Sequence, residues 1–145
     1  MTSAALAASL VLPADLATLM LEHARAELPN EACGLVGGDA ATGRARSFHP
    51  ARNRHASPLR FDVDPEDLVR IVFAIESAGE ALLAVFHSHP RSAAVPSATD
   101  VREARYEAAH LIATLADPGA AATDALRCWL VTDGSASEVR LRISG

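Results

Sequence analysis

Residues 81–86, ALLAVF, form a nearly continuous apolar run that leads straight into His87. A run of that length, without the alternation of a half-solvated strand, is expected of a central strand buried on both faces. It limits the chain to folds with helices packed over a sheet. The remaining punctuation agrees. Residues 10–12 read as a short first strand, and Pro13 opens a helix over residues 14–28 whose apolar stripe includes Leu16, Leu19, Met20 and Ala24. Residues 31–38 (EACGLVGG) and 44–50 read as two strands joined through residues 39–43, and residues 59–63 as a third, short one. Asp64-Pro65-Glu66 starts a second helix that Gly79 ends. A third helix is expected over residues 98–108, followed by strands at 110–115, 126–132 and 138–143, the last two joined at Asp133-Gly134. The order β-α-β-β-β-α-β-α-β-β-β implies an α+β or α/β fold with a mixed central sheet flanked by helices, one domain over residues 1–145.

The chemistry concentrates where the buried strand ends. His87-Ser88-His89-Pro90 is followed, after six more residues, by Ser97-Ala98-Thr99-Asp100. Residues two apart on a strand share a side, so both imidazoles face the same way. Asp100 falls in the first turn of the next helix, from which its carboxylate can swing back towards the rings. Two imidazoles and one carboxylate suit a zinc site whose fourth position stays open for water. Hydrolysis there needs a separate proton carrier. The motif holds no further carboxylate, and Glu31, at the mouth of another strand, is the best placed. Ser97-x-x-Asp100 also reads as a helix capping box, and both readings can hold together.

These residues resemble the JAMM (MPN-plus) metalloprotease family, whose signature is an early-strand glutamate followed by His-x-His-x(7)-Ser-x-x-Asp. The match is Glu31, His87, His89, Ser97 and Asp100, with the gap from Pro90 to Pro96 intact. Asn30–Leu35, Asn53…Ser57-Pro58…Phe61 and the Asp64–Asp67 helix start look like short bacterial members. The resemblance implies an MPN fold of the cytidine-deaminase-like type, with one zinc ion per chain on His87, His89 and Asp100. It implies that Glu31 activates water and protonates the departing amine, and that Ser97 stabilises the oxyanion. The implied substrate is a ubiquitin-like protein with a Gly-Gly C-terminus, of the sulfur-carrier type, cut at a peptide or isopeptide bond. A homodimer is also compatible with the likeness. The alternative is a non-catalytic MPN-type interaction scaffold, against which the intact five residues argue. A nucleoside deaminase would require a Pro-Cys-x-x-Cys pair that the sequence lacks.

Composition narrows the partners. There are 13 Lys and Arg against 18 Asp and Glu, a net charge of -5, and no basic block, so neither nucleic acid nor an anionic membrane surface is expected. Cys33 and Cys128 are too few for a disulfide framework. With residues 1–8 lacking the basic start of an export signal, the expected location is the cytoplasm. Cys33 is expected on the face opposite Glu31, Trp129 in the core, and Arg91 as a solvated loop residue. His23, His49, His55 and His110 are expected at surface or satisfied core positions.

Overall fold

The computed structural model describes residues 9–104 and 108–145. Its elements are β1 (Ser9–Pro13), α1 (Ala14–Ala26), β2 (Cys33–Asp39), β3 (Arg44–Ala51), α2 (Pro65–Ser77), β4 (Ala81–His89), α3 (Ala98–Arg102), β5 (Ala109–Thr114), α4 (Ala122–Ala125), β6 (Leu126–Thr132) and β7 (Ser135–Ser144). The strands form one mixed sheet in the order β1-β3-β2-β4-β5-β6-β7, which closes into a barrel because β1 also pairs with β7. β4 lies between antiparallel β2 and parallel β5, as its apolar run requires, and Leu83 to Phe86 are fully buried.

The two faces of this central strand feed two apolar clusters. Ala84 and Phe86 pack with Leu10, Leu12 and the buried stripe of α1, including Leu16 and Met20. Leu82 and Val85 pack with Cys33 and Leu35 of β2 and with Ile71 and Ile75 of α2. Burying a side chain such as Ile71 or Ile75 stabilises the fold by roughly 1.5–3 kcal/mol, so α2 is held chiefly by this stripe. Its start is as expected. Asp64 caps it by accepting from the Asp67 N–H at 3.1 Å, with Pro65 in the first turn. Gly79 ends it at φ +75°, a left-handed conformation that a Cβ would oppose.

Two sequence expectations change, and two features are additions to them. Residues 59–63 are not a strand: only an isolated bridge joins Asn53 to Val63, because the segment is spent wrapping Asn53. The helix expected over 98–108 is the five-residue α3; residues 105–107 of that expectation lie outside the described residues, as does the reading of residues 1–8. A short helix, α4, precedes β6. The mixed sheet closes on itself, since β1 binds β7 in parallel from Ser9↔Arg140 to Pro13↔Ser144. Among the described residues, no helix is long and apolar enough to cross a membrane.

Candidate metal centre

β4 carries His87 and His89 to the end of the barrel on the α2 side. His87 pairs in register with Cys33 of β2 and Ile112 of β5, and no part of it reaches solvent. Phe61 stacks on its ring at 4.2 Å between centroids, and the His110 ring meets it edge-on at 5.8 Å. Among the described residues, neither ring nitrogen has a hydrogen-bond partner. Burial pushes its pKa down to about 4, so the ring is neutral at physiological pH and keeps a lone pair to give.

His89 is oriented differently. Its Nδ1 lies 2.7 Å from the Ala93 carbonyl oxygen, which can only accept, so Nδ1 is the donor. Nε2 is left facing the Asp100 carboxylate at 3.0 Å. Burial opposes charge on this ring, but Asp100 and the Ala93 carbonyl outweigh it and its pKa is raised. Asp100 is placed by the capping box that the sequence announces. Ser97 Oγ accepts from the Asp100 N–H at 3.0 Å, and Asp100 Oδ2 accepts from the Ser97 N–H at 2.9 Å. Against the opposing pull of burial, the His89 hydrogen bond, the nearby His87 and the Ser97 N–H hold its carboxyl well below the usual carboxylate range.

Glu31 arrives from the other side, two residues before β2. Its backbone is pinned at both ends: its N–H donates to Ser57 O at 2.8 Å, and its carbonyl accepts from Asn53 Nδ2 at 3.1 Å. Asn53 also donates to Arg60 O and accepts from the His55 and Asp62 N–H groups, so one amide holds the whole 53–62 loop beneath the glutamate. Ala32 is tied to β4 through Ser88, by its N–H to Ser88 Oγ at 2.8 Å and by its carbonyl to the Ser88 N–H at 3.0 Å. The Glu31 carboxyl is buried, its Oε1 without a hydrogen-bond partner and 3.5 Å from His87 Nδ1. Burial pushes it up to about 8, against the pull of His89 and helped by Asp100.

Donor atoms of Glu31, His87 and His89 lie within 4.8 Å of one another. Asp100 joins this set through its contact with His89. All four side chains are buried. Buried polar atoms without partners are costly, and three of them, Glu31 Oε1 and both His87 nitrogens, converge here. A divalent cation would satisfy Glu31 Oε1 and one of the two His87 nitrogens, since an ion reaches only one nitrogen of a ring, and would reverse the local preference for neutral groups. The nitrogen and carboxylate donors suit zinc. A cavity of about 300 Å³ opens beside the cluster, lined by Arg54, Arg60, Phe61, Asp100, Arg102 and His110 among others.

The structure corrects three further expectations. Cys33 does not face away from Glu31: it pairs in register with His87 and so lies on the His87 side, which the Glu31 carboxyl also reaches. Its Sγ sits 3.5 Å from Arg52 O in the α2-side apolar cluster, where burial pushes the thiol up to about 12, an inert rather than a nucleophilic thiol. His110 is buried against His87, and among the described residues neither of its nitrogens has a hydrogen-bond partner. Trp129 is half-buried, and its indole N–H donates to Ala94 O, in the loop between His89 and Asp100. Arg91 is exposed in that loop, as expected. His49 belongs to a separate polar cluster with Ser47 and Glu80.

Comparison with known proteins finds a family model and relatives that span most of the chain. The family described as prokaryotic homologs of the JAB domain matches residues 13–132. The CysO-cysteine peptidase of Mycobacterium tuberculosis is 34% identical over 130 residues, covering 89% of this chain and 87% of that protein. The desampylase of Haloferax volcanii is 41% identical over 102 residues, 67% of this chain and 73% of that protein. A Desulfitobacterium hafniense protein solved in solution superposes with a TM-score of 0.84 at 33% identity, covering 93% of this chain and 92% of that one.

Proposed function

This chain belongs to the prokaryotic homologs of the JAB domain and is a hydrolase of the JAMM type; we propose that it is a zinc-dependent peptidase cutting the C-terminal tail of a ubiquitin-like sulfur carrier. The observation that carries this reading is the convergence of Glu31, His87 and His89 on one buried point, with Asp100 hydrogen-bonded alongside. His87, His89 and Asp100 would hold the metal. When bound, zinc supplies Lewis acidity: it polarises a carbonyl and makes hydroxide available near neutral pH.

The chain's own residues do the rest. Glu31 accepts a proton at a carboxylate oxygen from the attacking water and returns it to the departing amine, a task suited to a buried carboxyl with an uncommitted Oε1, whose pKa burial raises to about 8 and a bound cation would lower. Asp100, held ionised by its hydrogen bonds, cannot take that role. Ser97 Oγ, fixed at the helix start, directs its hydroxyl proton to the oxyanion. Phe61 covers one face of His87 and excludes water there. A Gly-Gly tail suits the site because glycines let the backbone pass close to buried donors. The free thiols Cys33 and Cys128 fit a cytoplasmic enzyme.

The test uses zinc-loaded protein and a ubiquitin-fold carrier ending in Gly-Gly, extended either by one cysteine or by an isopeptide-linked lysine. Intact mass spectrometry should show release of the group after Gly-Gly. A protein that binds one zinc yet cuts neither substrate would replace this reading with the interaction scaffold.

A further inference from the structure

The loop that separates His89 from Asp100 is held by an unusual set of bonds. Three consecutive carbonyls each accept one side-chain hydrogen bond, and each donor comes from a different strand. Thr114 Oγ1, at the end of β5, donates to Ser92 O at 2.6 Å. His89 Nδ1, at the end of β4, donates to Ala93 O at 2.7 Å. Trp129 Nε1, on β6, donates to Ala94 O at 2.9 Å. The register explains the reach: Thr114 pairs with His89, and Trp129 pairs with His110, so all lie on the face that bears the site. Trp129 is itself steadied by Arg127, whose guanidinium lies 4.9 Å over the indole and is held by Glu138 at 2.7 and 2.9 Å.

The middle bond matters most for chemistry. Donation from Nδ1 to Ala93 O fixes which His89 nitrogen is left for the site: Nε2, which bonds Asp100 here and, on losing its proton, would offer its lone pair to an ion. The bond requires the Ala93 carbonyl to point at the ring. Its direction is set by the peptides on either side, whose carbonyls are clamped by Thr114 and Trp129. Within the loop the Val95 N–H also donates to Ala93 O, at 2.8 Å, so this turn and the two flanking clamps together direct the carbonyl.

We infer that Thr114 and Trp129 are positioning residues of the metal site: by gripping Ser92 O and Ala94 O they aim Ala93 O at His89, and so present Nε2 to the ion. The inference rests on the zinc reading of the site. Its chemistry is general, since hydrogen-bond partners behind a ligating histidine typically contribute 10–100-fold in metal affinity.

Zinc affinity, measured by competition with a chromogenic chelator, tests it in the full chain. Thr114→Val keeps the shape and loses the donor, while Thr114→Ser keeps the hydroxyl; Trp129→Phe keeps an aromatic ring and loses the N–H. About a tenfold loss of zinc affinity is expected in Thr114→Val and in Trp129→Phe, with parent-like affinity in Thr114→Ser. Parent-like affinity in both Thr114→Val and Trp129→Phe overturns the inference. An equal loss in Thr114→Ser and Thr114→Val also overturns it, since the hydroxyl would then not be the agent. Should Trp129→Phe fail to fold, the Thr114 pair carries the test alone. A parent protein that binds no zinc sinks the reading of the site instead, which separates the two failures.

Discussion

The site is built from two carboxylates in contrasting surroundings. Both Glu31 and Asp100 are buried, at 2% and 4% exposure, so desolvation opposes charge on each. Asp100 answers with hydrogen bonds from the Ser97 N–H and from His89 and stays ionised. Glu31 spends its local hydrogen bonds on its backbone, through Ser57 and Asn53, and leaves Oε1 bare, so burial wins and its pKa rises to about 8. Two environments that push like groups apart mark a division between a fixed anion and a group that can exchange a proton. A helix start makes the first, because its N–H groups favour charge; a strand mouth with its polar atoms committed to backbone makes the second.

The contrast breaks most severely if the fixed side is removed. His87→Ala or Asp100→Ala should abolish stoichiometric zinc and reduce turnover to background, as should 1,10-phenanthroline, with zinc restoring activity to the parent only. Metal analysis of the purified variants checks this. The opposite side should behave differently. Glu31→Gln is isosteric and should keep zinc while lowering kcat by about 10²–10⁴-fold, the usual worth of a positioned proton carrier. This variant also decides between two readings of the cluster, since the three donors that all lie within 4.8 Å of one another are Glu31, His87 and His89. Loss of zinc in Glu31→Gln would make the glutamate a ligand and end the contrast.

Ser97→Ala sharpens the comparison at the helix start. Removing an N-cap acceptor costs about 1 kcal/mol of stability, read as a lower chemical-denaturation midpoint. If Ser97 also faces the oxyanion, kcat should fall further than a change to the other common cap, Ser97→Asn, would explain through capping alone. Equal stability and equal activity for Ser97→Ala and Ser97→Asn would leave the residue without either role.

What the sequence made legible follows from the range of each interaction. His87, His89, Ser97 and Asp100 lie within 14 residues, and a strand's period of two plus a capping box suffices to aim them. The start and end of α2 were likewise local, written in Asp64-Pro65 and Gly79. Closure of the barrel was not legible, because β1 and β7 meet from opposite ends of the chain with no local signal. Nor was the Trp129 bond to Ala94, which joins residues 35 apart. The strand expected at 59–63 failed for a related reason: its backbone is claimed by Asn53, whose side chain does what a neighbouring strand would.

The smallest effect expected concerns how the Glu31 side is anchored to α2. Arg52 directly precedes Asn53, and its guanidinium and backbone N–H all bond Asp67, at 2.9–3.1 Å. The Arg52 side-chain and backbone hydrogen bonds hold the Asp67 carboxyl down at about 2, below the ordinary 3.8. A carboxyl depressed by folding stabilises the protein fully above its unfolded pKa and loses that contribution as pH falls through the folded value. Stability should therefore be insensitive to this group above about pH 4 and decline between pH 4 and pH 2. Asp67→Asn should flatten that part of the acid limb in a denaturation series, with a modest loss at neutral pH because Arg52 is largely exposed. Since Asn53 is the next residue, the same variant should disturb the Glu31 side before the Asp100 side, visible as a lower kcat with zinc content unchanged. A variant that lost zinc while keeping the parental acid limb would show that α2 supports the metal ligands rather than the proton carrier.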